Sequence, residues 1–242
     1  QSQKLYIQIT SCRQDNSDVY VADIYLRSMD CLQRGFAGGK WKKTQAKVRV
    51  IAQDNYAVMA MTGDNSQNFT AGWVVANGNI LRKTKNSKRD LCLIYRTGEM
   101  VTLKAAQIDH KKITDEMDQL WQSFLFGPVL LDENGKTMTK FNTNVGPANP
   151  RSVIGYYEPG HYCLVQVDGR RTESRLEKGK INVGMTMKQT SALMEQLGCA
   201  AAYNLDGGQS SVLWYNGENL SNPYNGGRNV MDAVLILDGA VN

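Results

Sequence analysis

Asn204–Ser211 reads NLDGGQSS, between the apolar run CAAAY (Cys199–Tyr203) and the run VLWY (Val212–Tyr215). Aspartate and glycine are depleted in strands. One carboxylate, two glycines and two hydroxyls between two strand-like segments therefore serve a turn, a ligand or a reaction. The plain reading is a turn whose aspartate caps nearby backbone groups.

Upstream, TMKQTSALMEQLG (Thr186–Gly198) predicts a helix that delivers the chain into this stretch. Thr186 and Gln189 have capping-box spacing, and Gly198 sits where a left-handed C-cap belongs. Met187, Leu193, Met194 and Leu197 then face the core. Further upstream, RSVIGYY (Arg151–Tyr157) and HYCLVQVDG (His161–Gly169) read as a strand pair turning at Glu158-Pro159-Gly160. FNTNVGPANP (Phe141–Pro150) is a loop, PVLLDENGK (Pro128–Lys136) a strand and turn. A helix over 112–123 is predicted from Ile113, Met117, Leu120, Trp121 and Phe124. The first half reads mostly as strands: KLYIQI (Lys4–Ile9), VYVADIYL (Val19–Leu26), KVRVIA (Lys47–Ala52) and YAVMAM (Tyr56–Met61). Hairpins follow at Asn77-Gly78 and Thr97-Gly98. No repeat, low-complexity segment or linker interrupts the chain, which implies one α+β domain over 1–242, of mixed curved sheets with a few packed helices.

With 242 residues, 42% hydrophobic and 21% charged, the chain can bury a sizeable core without metal or disulfide staples. No run of about 18 apolar residues is present to span a bilayer. The chain begins at Gln1 with no leader pattern, so a leader or anchor is expected to have been removed, or the chain trimmed. Five cysteines (Cys12, Cys31, Cys92, Cys163, Cys199) lack the CxxC spacing of a zinc ribbon; their odd number leaves room for one or two disulfides at most. The formal charge is +5, with basic clusters at Lys40–Lys43 and Arg82–Arg89. These read as a solvated hairpin and a basic surface loop, or as attraction toward an anionic polymer or phosphate-bearing substrate. No nucleic-acid recognition motif accompanies them. The oligomeric state stays open.

Five polar motifs interrupt apolar segments: MTGDN (Met61–Asn65), NPRSVIG (Asn149–Gly155), VDGRR (Val167–Arg171), NLDGGQSS, and NPYNGGRNVMDAV (Asn222–Val234). Each puts an Asp or Arg at a strand end, where a scaffold can present it to a ligand. The set and its order, with FGPVL (Phe126–Leu130), resemble the phosphodiester glycosidases over roughly residues 18–239. Two positions depart from the family pattern: Thr62 stands where Asn is usual, and Gln209 where a third Gly is common.

The resemblance implies hydrolysis of a sugar-1-phosphodiester at the anomeric carbon, N-acetylglucosamine-1-phosphate esters being one such class. The substrate would be a wall polymer, an exopolysaccharide or a modified glycan in an extracytoplasmic setting. The residue types fit that chemistry. A phosphate leaving group needs charge neutralisation, which the arginine fork supplies; Arg151, Arg170 and Arg228 are the candidates, with Asn229 in the same set. An oxocarbenium-like transition state needs a carboxylate. Asp206 leads Asp64 and Asp168 here, because Gly207 and Gly208 after it admit a ligand. Asn204, Ser210 and Ser211 would hydrogen-bond sugar or phosphate. In an α-linked N-acetylglucosaminyl ester the 2-acetamido arm is cis to the phosphate, so the enzyme must supply the nucleophile or base itself. No cofactor is implied. The three aspartates could instead hold a divalent cation, although no contiguous calcium loop exists. His110 and His161 read as surface residues, and no GxSxG elbow is present. Asn68 (NFT) and Asn219 (NLS) match glycosylation triplets, which are common by chance. Two other classes remain: a binding module for a phosphorylated glycan, and metal-dependent cleavage at phosphorus.

Overall fold

The computed structural model describes residues 2, 4–85 and 87–239. Its first sheet runs, in spatial order, Leu5–Gln14, Ser17–Leu26, His161–Val167, Arg151–Glu158 and Ala201–Asn204, every pair antiparallel. The second runs Glu218–Asn219, Leu213–Tyr215, Met59–Thr62, Asp232–Ile236 and Leu32–Phe36, also antiparallel throughout.

The inner strands of both sheets are buried on both faces, and the alternation along each strand sorts the core into layers. Ala22, Ile24, Ile154 and Leu164 of the first sheet share a core with Met59, Met61, Val234 and Ile236 of the second. Their sequence neighbours face outward onto helices. Val21, Val153 and Val165 pack with Met187, Leu193 and Met194. Ala60, Ala233 and Leu235 pack with Val48, Ile51 and Ala52. The three α-helices are α1 (Val48–Asp54), α2 (His110–Asp115) and α3 (Met187–Gln196). The order is thus helix, sheet, sheet, helix: an α+β domain. To one side, the hairpin Gly72–Ala76/Asn79–Thr84 and the sheet Met100–Leu103/Leu91–Tyr95/Leu120–Phe124 close over Trp73, Val74, Leu91, Leu93 and Ile113.

Local signals decided several elements as expected. Asn77 and Gly78 both take positive φ, as a tight primed turn requires. In α3 the Thr186 hydroxyl accepts from the Gln189 amide while the Gln189 side chain accepts from the Thr186 amide, and Gly198 ends the helix at φ 78°.

Three elements differ from the sequence reading. Lys47–Ala52 is not a strand: Val48, Ile51 and Ala52 fall at i, i+3, i+4 and bury one face of α1 on the second sheet, which overrides the β-branched preference of Val and Ile. The helix expected over 112–123 ends at Asp115; after the short 3-10 turn Met117–Gln119, Leu120–Phe124 is a strand paired with Leu91–Tyr95. All five residues of that strand are buried, so its apolar pattern carries no period of two. Pro128–Lys136 forms isolated bridges rather than a strand, with a turn at Asp132–Gly135.

Pairing register brings the polar motifs together. Arg151 lies opposite Val167, and Asn204 opposite Val153, so one strand start and two strand ends share an edge of the first sheet. From Asn204 the chain crosses to the second sheet, entering it at Leu213 beside Met61. NLDGGQSS is that crossing.

Candidate functional site

The crossing lines a cleft of about 120 Å³. Asn204, Asp206, Gly207 and Gly208 form one wall; Asn149, Arg151 and Arg170 arrive from the neighbouring strand ends, and Phe126 and Val145 complete it. Its backbone is closely interlocked. The Asp206 amide donates to the Gly63 carbonyl at 3.1 Å and the Gly208 amide to the Pro150 carbonyl at 3.0 Å. A Cβ on Gly207 would sit 2.9 Å from the Pro150 carbonyl, and one on Gly208, whose φ is +63°, would sit 2.5 Å from Arg170 Nη2. Glycine is therefore required twice, once for backbone approach and once to admit a guanidinium.

Asp206 is buried, with Oδ1 accepting its neighbour Gly207 N–H at 3.0 Å and Oδ2 accepting Arg228 Nη2 at 3.0 Å. Burial raises its pKa; the Ser210 hydroxyl and Arg228 oppose that rise. The Ser210 hydroxyl in turn accepts from Arg228 Nε. Arg228, 51% exposed at its side chain, is thus the counter-ion of Asp206 and does not line the cleft.

Arg151 behaves differently. It is 1% exposed, and its Nε and Nη2 donate to the carbonyls of Met185 at 2.9 Å and Val145 at 2.8 Å, with Pro147 also in reach. Among the described residues no carboxylate pairs with it, and burial alone lowers its pKa to about 10. Arg170 takes a left-handed φ of 56°, as does Arg171 at 63°; such conformations cost about 1–3 kcal/mol each and cluster at ligand sites. Its guanidinium lies over the Tyr224 ring and donates to Asn149 Oδ1 at 3.3 Å. The cleft therefore presents two arginines that no acid neutralises among the described residues and one carboxylate that is already paired.

The other predicted residues point elsewhere. Asp64 is fully buried outside the cleft: its Oδ1 accepts the amides of Leu125 at 2.7 Å and Phe126 at 2.6 Å, and Arg34 approaches Oδ2 at 3.4 Å. Burial pushes it up to about 6 against the pull of Arg34. It holds the segment that offers Phe126 to the cleft. Asp168 is also buried outside the lining; Oδ2 accepts the Asn222 amide at 2.8 Å, Oδ1 has no partner, and burial pushes its pKa up to about 7. Ser211 turns inward to the Ser152 hydroxyl at 3.3 Å. Asn229 is exposed and absent from the lining. Asn204 spends both amide protons on the Gly127 and Leu205 carbonyls, leaving a buried Oδ1 without a partner. No group of three or more His, Cys, Asp or Glu that could hold a metal ion occurs among the described residues, so Asp64, Asp168 and Asp206 do not converge on one site.

Neither histidine is a plain surface residue: His161 stacks between Tyr25 and Tyr157 and bonds Asp23, and His110 accepts from the Trp73 indole. All five cysteines are free thiols; Cys163 and Cys199 meet with Sγ atoms 3.7 Å apart. Thr62, the departure noted above, fastens the crossing by accepting the Val212 amide at 3.1 Å and donating to the Ser210 carbonyl.

Sequence reasoning missed Phe126, Val145 and Asn149 as cleft residues, although Phe126 and Asn149 lie within quoted motifs. It also missed Arg34 and Asp232. Arg34 donates to Asp232 Oδ2 at 2.6 Å, and Asp232 accepts the amides of Asp64 at 3.1 Å and Asn65 at 2.9 Å.

A family model described as phosphodiester glycosidase matches residues 48–237. The catalytic domain of zebrafish N-acetylglucosamine-1-phosphodiester alpha-N-acetylglucosaminidase, auto-inhibited by its pro-peptide, shares the fold with a TM-score of 0.73 at 18% identity, covering 98% of this chain and 83% of that one. A Burkholderia pseudomallei protein described as exported is similar with a TM-score of 0.60 at 13% identity, over 91% of this chain and 74% of that one. In sequence, the SPbeta prophage-derived uncharacterized protein YomE of Bacillus subtilis is 26% identical over 150 residues, 61% of this chain; the match spans only 22% of that relative's length. No described helix is long and apolar enough to cross a membrane. The matched span contains both facing sheets' central strands and every residue that lines the cleft, and on that ground the chain belongs to the phosphodiester glycosidase family.

Proposed function

We propose that this protein hydrolyses a sugar-1-phosphodiester by breaking the bond between the anomeric carbon and its bridging oxygen. The observation that carries this reading is Arg151, a buried cation with no described acidic partner, in the same cleft as Asp206. A buried charge without a partner is costly, and an anionic ligand removes that cost. With Arg170 it would hold the non-bridging phosphate oxygens and take up charge as the bridging oxygen departs with the bonding electron pair. A phosphate stabilised in this way leaves without a strong general acid, which suits a cleft with a single carboxylate in its lining.

Asp206 would face the anomeric carbon, with Ser210 and Arg228 favouring its ionised form against the effect of burial. It would either bond that carbon first, or accept the proton of the water whose oxygen bonds it; retention of configuration marks the first route and inversion the second. Phe126 would lie against the ester beside its phosphate. N-acetylglucosamine is the proposed sugar, supported by the zebrafish enzyme's name. A wall polymer, exopolysaccharide or glycan is the proposed carrier. The extracytoplasmic setting is supported by the exported Burkholderia relative.

The test is hydrolysis of N-acetylglucosamine-1-phosphomethyl ester and UDP-N-acetylglucosamine in ¹⁸O-water. Label in the released sugar, with turnover abolished by Asp206→Asn, is expected. Label in the phosphate would instead establish cleavage at phosphorus. Saturable binding without turnover would make the domain a binding module. Proton NMR of the first product separates retention from inversion.

A further inference from the structure

A second fissure of about 310 Å³ shares Phe126 and Val145 with the cleft as walls and is otherwise bounded by Lys88, Arg89 and Asn142–Asn144. We propose that this fissure is a subsite for a second phosphate, carried on the alcohol side of the scissile phosphodiester. The preferred substrate is then a chain of glycosyl phosphodiesters rather than an isolated sugar-1-phosphate ester. This rests on the reading of the Asp206 cleft given above.

The order of groups supports the assignment. Arg151 is tied through Nη2 to the Val145 carbonyl at 2.8 Å, and Val145 lines both cavities, so a phosphate held by Arg151 would sit on the side of the cleft next to the fissure. An alcohol carried on that phosphate would then extend toward the fissure. Among the described residues, the fissure's lining contains two cations and no carboxylate. Asp90 lies behind it, but is buried, and its oxygens accept from the amides of Ala105 and Val129 and from Asn142 Nδ2. Arg89 is held in place, its guanidinium 3.8 Å above the Phe69 ring and donating to the Phe126 carbonyl at 3.1 Å. Asn142 fixes the neighbouring backbone by donating to the Lys88 carbonyl at 2.7 Å.

The basic run Arg82–Arg89 is thereby divided by role. Arg82 turns inward and donates to the carbonyls of Gly72, Ser66, Phe69 and Ala71. Lys88 and Arg89 are the pair presented to the fissure. Such a pair selects anionic ligands and loses its effect as salt shortens the range of the field.

The test uses two ligands, N-acetylglucosamine-1-phosphomethyl ester and the corresponding 2-phosphoethyl ester, bound calorimetrically to full-length Asp206→Asn protein so that no turnover intervenes. The phosphoethyl ester is expected to bind about tenfold tighter. Lys88→Gln is expected to remove most of that difference while leaving the methyl ester unchanged, and Arg89→Lys to retain it. Raising salt from about 0.01 M to about 0.15 M shortens the screening length from about 30 Å to about 8 Å, and should weaken the phosphoethyl ester selectively. Equal affinity for the two esters, a Lys88→Gln effect common to both, or no binding of either would overturn the subsite. Turnover of the methyl ester by the parent protein separately tests the glycosidase reading, so the two can fail independently.

Discussion

Replacing Arg151 with methionine removes a charge while nearly preserving volume, and the structure sets the size of both consequences. Lowering a guanidinium pKa from 12.5 to about 10 corresponds to about 3 kcal/mol against the charged form. In the folded protein without ligand, Arg151→Met relieves that penalty. It also forfeits hydrogen bonds to the Met185, Val145 and Pro147 carbonyls, about 1 kcal/mol apiece. The two nearly cancel, and Tm should move by less than about 5 °C for a chain of this size. The ligand effect does not cancel. An anion that offsets about 3 kcal/mol of burial penalty is worth about two orders of magnitude in kcat/KM when its partner is removed. Two measurements decide: kcat/KM on N-acetylglucosamine-1-phosphomethyl ester, and Tm with and without inorganic phosphate. At phosphate about 100 times its Kd the parent should gain about 2.7 kcal/mol, and Arg151→Met should gain almost nothing. A variant that keeps both the phosphate-induced rise and activity within about tenfold of the parent would refute the assignment and leave Arg151 a clasp for the 145–147 loop.

The buried carboxyl of Asp168 binds its proton more tightly folded, at about 7, than unfolded, at 3.8; its stabilising contribution is full below about 4 and is lost as pH rises through about 7. Tm of the parent should therefore fall between pH 5 and 8 relative to Asp168→Asn, which keeps an acceptor for the Asn222 amide, and the variant should retain activity because Asp168 does not line the cleft. Arg228→Gln removes the cation that favours the ionised form of Asp206, so the acidic limb of the kcat/KM profile should move to higher pH; an unmoved limb would detach Arg228 from that titration. In Gly155→Ala the new Cβ meets Cys163 Sγ and Met194 Cε at 2.6 Å and Cys199 Sγ at 2.8 Å, and the overpacking should cost about 1–3 kcal/mol, read as a lower urea midpoint at unchanged m-value.

What could be read from the sequence was what is decided locally. The Asn77-Gly78 turn and the Thr186/Gln189 cap need only their own neighbours, and both formed as expected. Val48–Asp54 needed the second sheet to make it a helix, and Leu120–Phe124 needed Leu91–Tyr95 to make it a strand. The site divides the same way. Motif residues announced that a polar cluster exists, yet residue type does not give direction: Asp206 faces the cleft, while Asp64 and Asp168, in equally polar turns, face the interior. Arg34 had no local signal, because its partners Asp64 and Asp232 lie 30 and 198 residues away.

Those buried residues explain why a cleft of few functional groups needs so many polar motifs. Asp232 accepts the Asp64 and Asn65 amides, Asp64 accepts the Leu125 and Phe126 amides, and the Gly63 carbonyl between them accepts the Asp206 amide. One run of bonds thus sets both the carboxylate and the aromatic wall. Arg34 links Asp64 and Asp232, and Asp232 acts to raise the Asp206 pKa. In the same cleft stand Arg151 and Arg170, which no acid pairs among the described residues. On the proposed reading, Arg151 and Arg170 would sit by the phosphate and the Arg228-paired Asp206 by the sugar, and a sugar-1-phosphodiester breaking at its anomeric carbon develops positive charge on the sugar and negative charge on the phosphate. Under that proposal the match would be to the separated charges rather than to the intact ester, and it is the separated charges that a catalyst must stabilise.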